Sequence, residues 1–141
     1  MQSLPLHALL VHLPIGLALV LPIPGLLALR LPALRPVLVL LHLVLSAAIY
    51  AAMYTGTAHV EEISPPAPIQ EVIDEHERRA QFFLLAALAA LPLSAVAVKR
   101  SRPRVVLIAA QCALALLGMY AALAGTTISY FPVPEPPSVS P

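Results

Sequence analysis

Four long stretches of the chain, residues 8–29, 37–58, 80–98 and 105–125, contain no Asp, Glu, Lys or Arg. Their apolar residues run continuously instead of alternating, which argues for helices and against the strands of a membrane barrel. About 20 helical residues cross the hydrocarbon of a bilayer, so each stretch can cross once. The pattern predicts an all-α, four-helix transmembrane bundle over residues 1–130. The remaining residues, 131–141 (FPVPEPPSVSP), form a proline-rich tail that must be extended or polyproline-like. The first stretch has no basic segment ahead of it and no A-x-A cleavage site, so it reads as a retained helix and not as a secretion signal. Pro14, Pro22 and Pro24 are expected to kink it.

The periodicity extends beyond the third apolar stretch. Ile69, Val72, Ile73, His76, Ala80, Phe83 and Ala87 recur at spacings of three and four, which defines one helical face. Helix three is therefore expected to begin about two turns before the membrane, with His76 on its inward stripe. Asp74–Arg78 and Glu75–Arg79 are candidate i,i+4 ion pairs on its wet side. The segment ahead of it, 63–68 (ISPPAP), reads as a turn that cannot be helix.

Composition narrows the class. Only 11% of residues are charged, against 60% hydrophobic, whereas a soluble domain carries roughly a quarter charged residues. A water-facing surface cannot be built from this chain, and the lipid bilayer is its expected surroundings. The single cysteine, Cys112, excludes an internal disulfide framework and reads as an inert packing residue. Nucleic acid is not an expected partner, because no basic run is interleaved with aromatics. No nucleophile–base pair, phosphate loop or carboxylate dyad marks a stand-alone enzyme.

Charge position sets the expected orientation. Arg30 and Arg35 lie between helices one and two, and Lys99, Arg100, Arg102 and Arg104 lie between helices three and four. Basic residues near helix ends favour the cytoplasm, so both short loops are expected inside. The connection from 59 to 79 holds Arg78 and Arg79 among six acidic residues. That connection and both termini are expected outside.

On that topology His7, His12, His59 and His76 gather at the outer face, with Glu61, Glu62 and Glu77 available to close the cluster. Neutral imidazole ligates haem iron, copper and zinc. One reading is a b-type haem held by His76 and a helix-one histidine, with Arg78 and Arg79 facing the propionates. His7 fits by depth, and His12 lies inside the apolar run. A second reading is another transition metal on His7, His12, His59 and His76. In a third, the same side chains form a hydrogen-bond network that joins helices. His7 and His12 differ by about 140° around a helix, so both can face one centre only if the helix distorts. A further polar line, His42, Ser46, Tyr50 and Tyr54, recurs every four residues of helix two and reads as an inward stripe, either a proton path or interhelical hydrogen bonding. Helix four presents Gln111, Ala115, Gly118, Ala122 and Gly125 as a line of mostly small residues for close helix contact.

The segment LHALLVHLPIGLAL resembles the H-P-x-x-V-H-F-P-I-A/G signature of the bacterial membrane proteins grouped as domain of unknown function 2231. YTGTAHVEEI and IDEHERRA resemble the T-G-x-x-A-x-E and H-E-x-x-A segments of the same family. The likeness runs through most of the chain and carries the pattern onto His7, His12, Pro14, Gly56, Glu61 or Glu62, His76 and Glu77. Ala8 stands where the family usually has proline, and AGTTISYFP replaces its usual Gly-Gly ending. The resemblance implies a bacterial membrane protein of the same helix count; with the charge asymmetry, the expected location is the inner (cytoplasmic) membrane, multi-pass, with periplasmic or extracellular termini. Fusion of some relatives to Rieske-type domains implies redox surroundings. Two function classes follow: a b-haem electron-transfer or redox subunit, and a non-catalytic subunit anchoring a larger membrane complex.

Overall fold

The computed structural model describes residues 10–63, 66–100 and 102–128, without the side chains at 59, 61–63, 102–103 and 126–128. The tail at 131–141 lies outside the described residues. The described chain is helical and contains four helical segments long and apolar enough to cross a membrane, His12–Arg30, Pro32–Ala58, Ala67–Lys99 and Arg104–Gly125.

The first span is α1 (His12–Val20) followed by α2 (Pro22–Arg30), with a break at Leu21. Pro22 and Pro24 have no amide hydrogen, so the helical bonds they would otherwise donate are missing. The amide hydrogen bonds Leu21 N to Leu17 O (3.0 Å) and Gly25 N to Leu21 O (3.3 Å) carry the chain across the gap. Leu21 itself is fully buried in the core, so the interruption faces the bundle and not the lipid. Leu31 then leaves the helix in an extended conformation, and a 3-10 turn, Pro32–Leu34, leads into α3 (Arg35–Ile63). α4 (Ala67–Lys99) and α5 (Arg102–Ile128) complete the set.

α4 begins earlier than its hydrophobic face suggests. Ala67 and Pro68 already belong to its first turn, where amide hydrogens have no helical partner and a proline costs nothing. The expectation that 63–68 excludes helix is therefore corrected at both ends, since α3 also continues through Ile63. At 33 residues α4 is about 50 Å long, well beyond the ~30 Å hydrocarbon thickness. Its excess lies at the N-terminal end, which carries the acidic residues.

The first span packs against α3 and α5, and α4 packs against the same two helices. The four spans thus form a square, with neighbours in chain order in contact and α5 closing against α1 and α2. Large apolar side chains such as Leu26, Leu40, Leu85 and Leu116 cover the outside, as lipid contact requires. Inside, two apolar layers each draw on all four spans. Ala28, Leu38, Ala97 and Leu107 lie toward the basic end. Leu21, Leu45, Ala90 and Leu114, with Ala18, Ile49, Phe83 and Ala87, fill the centre.

The buried positions repeat. Ala18 and Ala87, Leu21 and Ala90, Gly25 and Ser94, Ala28 and Ala97, Leu38 and Leu107, His42 and Gln111, Leu45 and Leu114, and Ala52 and Ala121 are all buried, and each pair is separated by the same 69 positions. The two basic turns obey the offset too. Arg35 Nε donates to the Ala28 carbonyl (3.4 Å), and Arg104 Nε donates to the Ala97 carbonyl (3.1 Å). Each arginine reaches back seven residues to one of the carbonyls that a helix leaves unpaired near its C-terminus. The buried positions and the basic turn of the first helical hairpin thus recur in the second at one fixed offset, the pattern that a pseudo-twofold pairing of two hairpins produces. In sequence alone the offset also carries His7 onto His76 and Gly56-Thr57 onto Gly125-Thr126.

The expected small-residue line on the last span is realised in part. Gly118 is buried, and a Cβ there would meet Phe83 Cζ of α4 at 3.1 Å. Gly118→Leu is therefore expected to lower stability by about 1–3 kcal/mol through overpacking. Leu116→Ala, on the lipid face, should stay within about 0.5 kcal/mol. Unfolding of both variants in detergent micelles checks this, and equal small effects would contradict the seating of Phe83.

Candidate functional site at the acidic end of the bundle

The third span enters the bundle along the face that includes Ile73, Phe83 and Ala87, all buried, with His76 half-buried on the same face. This bears out the inward stripe. The His76 ring is seated on α5. Its Nδ1–H donates to the Ala121 carbonyl (3.1 Å), and a Cβ on Gly125 would stand 3.1 Å from His76 Cε1. Glycine at 125 thus gives the imidazole its place. A hydrogen bond on Nδ1 leaves Nε2 as the ring's acceptor in the neutral form.

One turn further along, Arg79 strengthens the same contact. Its guanidinium carbon lies 4.0 Å from the centre of the Tyr120 ring, and its Nη1 donates to the Tyr120 carbonyl (3.4 Å). The Arg79 Nε–Glu75 Oε1 bond (2.7 Å) holds the guanidinium in that position, and Arg78 pairs with the other oxygen of Glu75. The expected Glu75–Arg79 pair is present. The expected Asp74–Arg78 pair is replaced, because Glu75 takes both arginines and Asp74 accepts from Gln70 Nε2 (2.8 Å). Glu77 accepts from Gln81 (3.3 Å). Both arginines proposed for propionate contacts therefore already share a carboxylate.

The other predicted site residues are placed less centrally. His12 opens α1 on an exposed face. His7 lies outside the described residues, as do the side chains of His59, Glu61 and Glu62. Among the described residues no group of three or more His, Cys, Asp or Glu side chains is arranged to hold a metal ion.

The stripe on helix two divides. His42 and Ser46 are buried, whereas Tyr50 and Tyr54 are 63% and 69% exposed. Steps of four residues advance about 40° around a helix each time, so three steps carry the line from the core to the outside. The buried face instead follows Leu38, His42, Leu45, Ile49 and Ala52. An inward polar line through all four positions is thus corrected, and with it a proton path through both tyrosines. Ser46 Oγ donates to its own helix at the His42 carbonyl (2.9 Å).

Two buried polar side chains escaped the sequence reading in this role. Gln111, counted there among small residues, is fully buried, and a Cβ on Gly25 would overlap its side-chain oxygen. Ser94 is buried with its hydroxyl donating to the Leu91 carbonyl (2.7 Å). The signal that could have found them is the 69-residue offset, which aligns Gln111 with His42 and Ser94 with Gly25. A groove of about 240 Å³ between α4 and α5, lined by Ala86, Ala89, Ala110 and Ala113 among others, is apolar throughout.

No protein-family model, curated protein or solved structure matches the chain.

The site's own chemistry gives a direct check. His76→Ala should lower stability by about 1–3 kcal/mol, because the ring's hydrogen bond and packing are both lost. Arg79→Ala should cost about 1 kcal/mol, since its stacking and ion pair are partly exposed. Denaturation in micelles measures both, and an unaffected His76→Ala variant would contradict the interhelical role.

Proposed function

We propose that the protein is a non-catalytic membrane subunit whose histidines and arginines fasten helices at one end of the bundle, presenting a rigid hairpin pair and a proline-rich tail to a larger complex. The observation that carries this reading is the His76–Ala121 bond with its neighbouring Arg79–Tyr120 stack. Both tie the overhanging part of α4 to α5, which stiffens a surface beyond the apolar belt. Stiffening of that kind suits a docking platform, and the proline-rich composition of 131–141 is of the kind that partner domains recognise.

A second reading keeps a specific observation in its favour. Metal-ligating histidines commonly donate their other ring hydrogen to a backbone carbonyl, and His76 does this toward Ala121. In this reading His76 Nε2 and a helix-one histidine, His7 or His12, ligate a b-type haem in a redox subunit. Haem would supply one-electron transfer, and the chain would supply two imidazole nitrogens to hold it. The likeness to domain of unknown function 2231 belongs with both readings. It supports placement in a bacterial inner membrane, and the basic loops support periplasmic termini.

An optical spectrum of the purified full chain, oxidised and dithionite-reduced, separates the two. The anchoring reading expects a colourless protein. A reduced b-type spectrum that His76→Ala abolishes would replace it with the redox reading.

Orientation is tested separately in a Cys112→Ala background. Ser138→Cys should react with an impermeant thiol reagent on intact cells, whereas Ser101→Cys should react only after lysis. The reverse pattern would invert the topology.

A further inference from the structure

The polar level between the two apolar layers concentrates chemistry that neither functional reading uses. Gly25 lies between Leu21 and Ala28, His42 between Leu38 and Leu45, Ser94 between Ala90 and Ala97, and Gln111 between Leu107 and Leu114. Their flanking residues form the two layers, one below and one above, so these four positions share one level of the bundle. Each span contributes one residue to that level. The 69-residue offset carries His42 onto Gln111 and Gly25 onto Ser94, so the level maps onto itself.

His42 and Gln111 are both 0% exposed. His42 Nδ1–H donates to the Leu38 carbonyl (2.7 Å), which makes Nε2 of the neutral ring an acceptor. That Nε2 has no partner, and neither do Gln111 Oε1 and Nε2. In hydrocarbon such groups are far costlier than at a wet surface, because bulk water is absent and a partner has to be bound specifically. Glycine at 25 leaves the space that the Gln111 amide enters, and Ser94 turns its hydroxyl back to its own helix. The level thus presents an imidazole acceptor and an amide oxygen with nothing donating to either.

We infer that His42 and Gln111 together form a buried binding site for a single water molecule at this level. Water fits by chemistry: it is small, neutral, and donates twice, once to His42 Nε2 and once to Gln111 Oε1. An amide N–H of Gln111 donates to the water oxygen, which brings the total to three of the two to four contacts that an internal water makes. A direct bond from Gln111 Nε2–H to His42 Nε2 would satisfy the ring but leave the amide oxygen bare. The bridging water satisfies both and locks the two hairpins in register.

The test uses the full chain in lipid bilayers, with ¹⁵N-labelled histidine and solid-state magnetic resonance. The expected result is a cross-peak between His42 Nε2 and water that persists when bulk water is frozen out, and that Gly25→Ala abolishes by displacing the Gln111 amide. Nε2 coupled to the Gln111 amide with no water cross-peak would overturn the proposal. Stability in micelles gives a second arm. His42→Leu and Gln111→Leu should each lower the unfolding midpoint by roughly 5 °C, since each strands the other's polar group. The double variant should fall no further than the more damaging single one. Strictly additive losses would mean that the two residues share nothing, and would overturn the site.

Discussion

A bilayer interior offers no solvent hydrogen bonds, and this constraint organises the molecule. Every backbone polar group within the spans must find its partner in the protein. Continuous helices meet most of that demand, and the deviations are placed where it can still be met. The break at Leu21 sits against the core and is bridged by bonds on either side. At the basic turns, carbonyls near the helix ends receive the Nε–H of Arg35 and Arg104. Each of these arginines closes the end of the helix that precedes it.

The same constraint explains the economy of polar side chains inside. Buried serines turn to carbonyls of their own helices, which removes their cost without linking spans. His42 and Gln111 differ, because their side chains are too long to be wholly satisfied locally. Their position between apolar layers makes the level a register mark, since sliding one helix by a turn would place an imidazole or an amide among leucines. Buried polar groups are best attested in just such register roles. The twofold repeat places one such residue in each hairpin.

The acidic end follows a different logic, because α4 carries charged side chains there, ahead of its apolar stretch. Tyr120 and Gly125 present a ring and an open backbone surface, and Arg79 and His76 of α4 occupy them. Glu75 is the pivot, since it gathers Arg78 and Arg79 and so aims the latter at Tyr120. The arrangement leaves His76 Nε2 as the ring's acceptor, so one contact serves both the anchoring and the ligating reading.

The sequence by itself determined the class, the number of spans, the helix-breaking prolines and the inward face of helix three. These are properties of a single segment: continuous apolar length, missing amide hydrogens and a 3.6-residue period. It also placed His76 correctly, because that residue shares a stripe with Ile73 and Phe83. Tertiary structure decided everything that depends on two segments at once. Tyr50 and Tyr54 read as inward because a four-residue spacing drifts slowly, but three steps turn the line by about 120°, and the packing of neighbouring helices fixed which side of α3 is core. Asp74 lost Arg78 to Glu75 because side-chain reach across a turn, and not spacing alone, selects the partner. The placement of Gln111 depends on Gly25 of the first span, which makes room for its amide. Local periodicity carries no information about which residue lies across the interface, so the pairing of the two hairpins, though written in the chain as a 69-residue offset, became legible once burial aligned them.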